Sequence, residues 1–110
     1  GVEFSEELHL AATQNMAAAL GHWPNVDRIQ LILGDATVYE PPVMGVVLYL
    51  YNPFDASVMA PVIDKWCAAL QKHSHALWVV YVNPTELALF EKNGNFKPVS
   101  VGGGTAIFSR

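Results

Sequence analysis

Polar residues capable of binding chemistry stand where apolar runs stop. Glu3 closes a short opening run, Gly34-Asp35-Ala36 follows Ile29–Leu33, Asn52-Pro53-Phe54 follows Val46–Tyr51, and Asn83-Pro84 follows Ala76–Val82. A carboxylate only accepts hydrogen bonds, whereas an asparagine amide donates and accepts, so this set can hold hydroxyl and amino groups of a ligand. In open α/β sheets the ligand sits beyond the carboxyl ends of the strands, which makes these exits the positions to weigh first.

Other clusters carry less. His73 and His75 are separated by one residue in a helix-to-strand loop, but no third ligand is spaced around them, so no metal site is expected. Gly102-Gly103-Gly104 is followed by a β-type stretch rather than a helix whose N-terminus could face an anion, and it reads as a hairpin turn. Trp66 and Cys67 belong on or beside an apolar helix face and read as core. Trp23, next to Pro24, suits either packing on a sheet edge or contact with a partner.

The elements that position the exits follow from periodicity. Ser5 with Glu6 and Glu7 is a helix start, a hydroxyl cap with carboxylates in the first turn. Leu8, Ala12, Met16, Ala19 and Leu20 continue at helical spacing until Gly21, which predicts a helix from about Glu6 to Leu20. Ile29–Leu33 reads as a strand. Val46–Tyr51 is apolar throughout, which suggests a strand covered on both faces. Asp55 can cap a helix whose apolar stripe is Met59, Ile63, Trp66 and Leu70, with Val62 and Cys67 beside them. A strand over Ala76–Val82 follows, then a short helix capped by Asn83 with Pro84 as its first residue, ending near Asn93-Gly94. Phe96–Val101 and Thr105–Ser109 close the chain as a strand pair. The expected class is α/β: a mostly parallel sheet with a C-terminal antiparallel hairpin, in one domain spanning residues 1–110.

Composition narrows the partners. Of 110 residues, 52% are hydrophobic and 15% charged, enough apolar material for a core and too little charge for disorder. The net charge of -4 provides no positive field for a phosphate backbone, so nucleic acid is not favoured. The uncharged stretch Pro41–Phe54 contains three prolines and is too short and too broken to span a membrane. The lone Cys67 cannot form an internal disulfide, and a cytoplasmic protein is the simplest reading.

Read in order, the exits resemble the second half of a class I S-adenosylmethionine-dependent methyltransferase, a Rossmann-like sheet. The likeness covers nearly the whole chain. Gly1-Val2-Glu3-Phe4-Ser5 looks like that family's second strand, with Glu3 in the place of the acid that accepts both ribose hydroxyls of the cofactor. Gly34-Asp35-Ala36 is similar to the exit of its third strand, where the aspartate receives the adenine amino group and the next amide faces the ring. Asn52-Pro53-Phe54 resembles the Asn/Asp-Pro-Pro-aromatic motif lining the methyl-transfer position, with one proline here rather than two.

The resemblance implies methyl transfer from S-adenosylmethionine, with Glu3, Asp35 and Ala36 on the cofactor and Asn52, Pro53 and Phe54 at the reacting centre. It implies no metal, and an acceptor that is a small molecule or a protein side chain. The family's first strand and Gly-rich turn would precede Gly1, so the domain is expected to be N-terminally incomplete, inactive alone, and prone to close its sheet as a homo-oligomer. Two other readings stay open: a nicotinamide-dependent oxidoreductase, to which an acid at the second-strand exit is equally suited, and a non-enzymatic α/β assembly module.

Overall fold

An apolar run becomes a strand only where a neighbour takes its backbone donors and acceptors, and this rule explains the observed elements. The computed structural model describes every residue apart from the side chain of His73. It divides into two compact units, Gly1–Tyr39 and Glu40–Arg110.

In the first unit, β1 (Val2–Glu3) pairs in parallel with β2 (Ile32–Leu33), Val2 beside Ile32 and Glu3 beside Leu33. Helix α1 (Glu6–Ala19) starts where the Ser5 hydroxyl accepts from the Leu8 amide, and Leu20 occupies its C-cap. No α1 residue is buried; Ala12, Met16 and Ala19 are half-buried, while Leu8 and Leu20 are exposed. The strand expected over Ile29–Leu33 is corrected to its last two residues. Val26–Arg28 is a 3₁₀ turn, and the pairing with β1 begins only at Ile32. Ahead of it the Gly1 ammonium donates to the Gln30 carbonyl at 2.7 Å.

The second unit holds a four-stranded sheet in the order β3-β4-β6-β5. β3 (Val46–Tyr51) and β4 (Leu77–Val82) are parallel, in register from Val46 beside Leu77 to Tyr51 beside Val82. β6 (Thr105–Ser109) runs antiparallel to both β4 and β5 (Lys97–Gly102). The hairpin turn between them uses positive φ at Gly103 and Gly104 (59° and 76°), which glycine adopts without steric cost. Helix α2 (Ala56–His73) connects the parallel pair, as such a crossover requires.

One sheet face is the core. Leu50, Leu77, Val79, Tyr81, Ala106 and Phe108 are buried, as is the whole expected stripe of α2: Met59, Val62, Ile63, Trp66, Cys67 and Leu70. Phe90, from α3 (Leu87–Glu91), is fully buried between rings, with centroids at 5.5 Å from Tyr81, 5.2 Å from Phe96 and 5.1 Å from Phe108. The expectation that Val46–Tyr51 is covered on both faces is corrected: Val47, Tyr49 and Tyr51 are exposed, so continuous apolarity here marks one buried and one open face.

The last helix is also displaced from its expected start. Asn83 is left-handed (φ 49°) rather than a helix cap, residues 85 and 86 form a turn, and α3 begins at Leu87 behind Glu86. The Asn83 amide donates instead to the Gly104 carbonyl at 2.8 Å, which ties the end of β4 to the hairpin turn. The sheet is a mixed parallel and antiparallel α/β arrangement, and among the described residues no helix is long and apolar enough to cross a membrane.

Candidate functional site at the parallel strand exits

Because Tyr51 and Val82 are register partners, the two Asn-Pro dipeptides leave the sheet side by side. Asn52 and Asn83 both turn the chain through left-handed backbone (φ 38° and 49°), a region asparagine tolerates better than most residues with a Cβ. The Asn52 amide donates to the Val82 carbonyl at 3.1 Å, which locks one exit to the other. Across the same gap the Thr85 hydroxyl donates to Asn52 Oδ1 at 2.7 Å. The Tyr81 hydroxyl accepts from the Glu86 amide at 3.2 Å, so a core aromatic holds the far side of the turn.

These residues border an open cleft of about 330 Å³ lined by Asn52, Pro53, Phe54, Asp55, Thr85 and Glu86. Phe54 is half-buried and supplies an apolar wall, while Asn52, Pro53 and Thr85 are exposed. Asp55 is the N-cap of α2: one carboxylate oxygen accepts from the Ser57 hydroxyl at 2.6 Å, the Ser57 amide at 3.0 Å and the Val58 amide at 3.3 Å. The Ser57 hydroxyl is the largest influence holding its carboxyl below the usual range, and the Val58 and Ser57 amides add to it. The cleft therefore offers a fixed amide, an aromatic wall and two acidic side chains.

Glu3, Asp35 and Ala36 belong to the first unit. The Gly34 amide donates to the Glu3 carbonyl at 2.9 Å, which brings the β1 and β2 exits together and sets the two acids at neighbouring strand ends. Each acid already makes a local bond. Glu3 accepts from the Ser5 amide at 2.8 Å; one Asp35 oxygen accepts from the Thr37 amide at 2.8 Å and the Thr37 hydroxyl at 2.7 Å. The Thr37 hydroxyl and amide hold the exposed Asp35 carboxyl below its usual range, so it is charged at neutral pH. Ala36 is half-buried in the turn that Asp35 closes.

Thr85, Asp55 and Glu86 were not among the residues singled out from sequence as a site. A signal existed: the dipeptide Asn-Pro occurs at both parallel exits, and register alone then places Thr85 near Asn52. Among the described residues no three His, Cys, Asp or Glu side chains group as metal ligands, and the His73 side chain lies outside them.

No protein-family model matches this sequence, and no curated protein matches it. A solved structure does share the fold: "Putative methyltransferase yhhF from Escherichia coli", at a TM-score of 0.60 and 12% sequence identity, over 99% of this chain. The chain spans 62% of the length of that structure. At this identity the likeness is one of fold.

Proposed function

We propose that this chain belongs to the catalytic unit of an S-adenosylmethionine-dependent methyltransferase. The observation that carries the reading is the Asn52–Thr85 pair, a polar group fixed beside an aromatic wall at the exits of two parallel strands. The structural neighbour's name supports the same activity.

The acceptor set suits the cofactor. Ribose hydroxyls and an adenine amino group are hydrogen-bond donors, and Glu3 and Asp35 are acceptor-only groups at adjacent strand ends, each with lone pairs beyond those used locally. Glu3 would take the ribose, Asp35 the amino group, and the Ala36 amide would face the ring. When bound, the cofactor supplies an electrophilic methyl group on a sulfonium. The chain's own task is alignment: Asn52 orients the acceptor atom, Pro53 stiffens the exit and Phe54 packs against the acceptor. With Oδ1 engaged by Thr85, Asn52 offers its Nδ2 hydrogens and the second Oδ1 lone pair. Orientation of this kind can contribute up to roughly 7 to 11 kcal/mol to such a transfer.

The acceptor in this reading is a small molecule or a protein side chain. Asp55 and Glu86 at the cleft and the net charge of -4 disfavour a phosphate backbone.

Titration with S-adenosylhomocysteine and, separately, with NAD, followed by amide chemical shifts, tests the reading at millimolar sensitivity. Shifts with S-adenosylhomocysteine at Glu3, Asp35 and Ala36 are expected. Shifts with NAD alone would overturn it.

A further inference from the structure

Tyr81 lies in β4, which pairs with β3 on one side and β6 on the other, so its place in the sheet is fixed from both flanks. Its side chain is fully buried. It stands beside Leu50 and Ala106 in register, with its ring centroid 5.5 Å from that of Phe90. Phenylalanine would fill the same space without a polar atom to desolvate, so a tyrosine hydroxyl at this position requires a hydrogen-bond partner. Among the described residues no buried side-chain oxygen or nitrogen lacks one. The partner here is the Glu86 backbone amide, which donates to the hydroxyl at 3.2 Å.

That amide belongs to the loop that carries Thr85. The loop leaves β4 through the left-handed Asn83, continues through Pro84, which has no amide, and enters α3 behind Glu86, whose side chain makes no cap bond. Its shape therefore depends on bonds to other elements. The Asn83 amide donates to the Gly104 carbonyl at 2.8 Å, the Thr85 hydroxyl to Asn52 Oδ1 at 2.7 Å, and the Glu86 amide to the Tyr81 hydroxyl at 3.2 Å. Asn83, Gly104, Thr85 and Asn52 are all exposed, and bonds between exposed groups open locally at little cost. The bond to Tyr81 ends instead on a ring held by close packing.

We propose that Tyr81 is a positioning residue for the Asn52 amide, acting through the Glu86 backbone and the Thr85 hydroxyl. The Tyr81 hydroxyl pins the peptide between Thr85 and Glu86. The pinned peptide sets where the Thr85 side chain begins, and the Thr85 hydroxyl then holds Asn52 Oδ1 across the gap between the two strand exits. Tyr81 itself has no exposed surface and touches no ligand. Its role in transfer rests on the reading of Asn52 as the group that orients the acceptor atom. In an aligned reaction of that kind, a misplacement of about 1 Å caused from outside the site can cost on the order of a hundredfold in rate.

Tyr81→Phe keeps the ring and removes the acceptor. By amide exchange on the whole chain, the Glu86 amide should then exchange about tenfold faster, the effect of one ordinary hydrogen bond. The Asn52 side-chain amide resonances should move toward their positions in Thr85→Val, while the ring resonances of Phe90, Phe96 and Phe108 stay in place. In a Thr85→Val background the route is already cut, so adding Tyr81→Phe should move the Asn52 resonances no further. Asn52 resonances unmoved by Tyr81→Phe overturn the proposal. So does an equal movement in the Thr85→Val background, which would mean that Tyr81 does not act through Thr85. Should Tyr81→Phe fail to fold, exchange in the wild type decides: a Glu86 amide as protected as those of β4 supports the anchor, and one as fast as an unbonded exposed amide overturns it. None of these readouts uses a cofactor or an acceptor. Shifts with NAD alone would therefore count against methyl transfer, and unmoved Asn52 resonances against Tyr81.

Discussion

The Thr85 hydroxyl donates to Asn52 Oδ1 at 2.7 Å, joining residues 33 positions apart at the ends of two parallel strands. Thr85→Val keeps the shape and removes the donor. Because the pair is exposed, the loss in stability should be small, about 0.5 to 1 kcal/mol by urea unfolding. The sharper readout is the Asn52 side-chain amide resonance, which should move and broaden in Thr85→Val and return in Thr85→Ser. An unchanged resonance in the valine variant would mean that Thr85 does not orient the amide.

Asp35 serves two roles that can be separated. Its bonds to Thr37 close a turn, and in the proposed reading its charge also meets a nucleotide amino group. Asp35→Ala should weaken S-adenosylhomocysteine binding by about tenfold, the effect of one charge-assisted hydrogen bond. Thr37→Val, which removes only a turn contact, should leave binding nearly unchanged. Equal losses in both variants, measured by calorimetry or chemical shift, would reduce Asp35 to a turn former.

Acid should loosen the start of α2. The folded-state carboxyl of Asp55 is lowered, chiefly by the Ser57 hydroxyl and then by the Val58 amide, so its contribution is present above the usual carboxylate range. It is lost as the pH falls through the depressed value. Melting temperature should therefore drop below about pH 4 more steeply in the wild type than in Asp55→Ala, which is already less stable at neutral pH. Parallel acid profiles would show that this cap contributes nothing.

Phe90 is fully buried against Tyr81, Phe96 and Phe108. Phe90→Ala should cost about 3 to 5 kcal/mol, a large share of the stability of a domain this small. Loss of the near-ultraviolet aromatic signal would accompany the shift in urea midpoint. A cost under about 1 kcal/mol would mean the cluster does not hold α3 to the sheet.

Burial pushes the Cys67 thiol up, with Asp64 adding to the shift and Arg110 opposing it. A protonated, buried thiol is inert. Reaction with a disulfide reagent at neutral pH should proceed only as fast as the protein opens, and accelerate with urea in step with unfolding. Rapid labelling under native conditions would contradict the core position.

What the residues settle unaided is local and periodic. The α2 stripe from Met59 to Leu70 is buried as its spacing requires, because 3.6-residue periodicity maps directly onto one helix face. Ser5 and Asp55 cap their helices, since a cap needs only partners two or three residues away. Gly102-Gly103-Gly104 turns the hairpin through the positive φ that glycine permits. The exits of β3 and β4 are legible in the same way, as apolar runs stopped by Asn-Pro.

Tertiary structure decided whatever depends on a distant partner. Val26–Arg28 is a 3₁₀ turn that runs directly into Ile29. Asn83 has the chemistry of a helix cap, but its amide is taken by Gly104 of the hairpin, and the chain turns left-handed instead. Tyr49 and Tyr51 belong to an apolar run indistinguishable from a doubly covered strand, and only the packing leaves one face open. Thr85 meets Asn52 because β3 and β4 are parallel and in register. The repeated Asn-Pro marks both exits in the sequence, but which strands are neighbours, and in what register, is decided by which hydrophobic faces pack together.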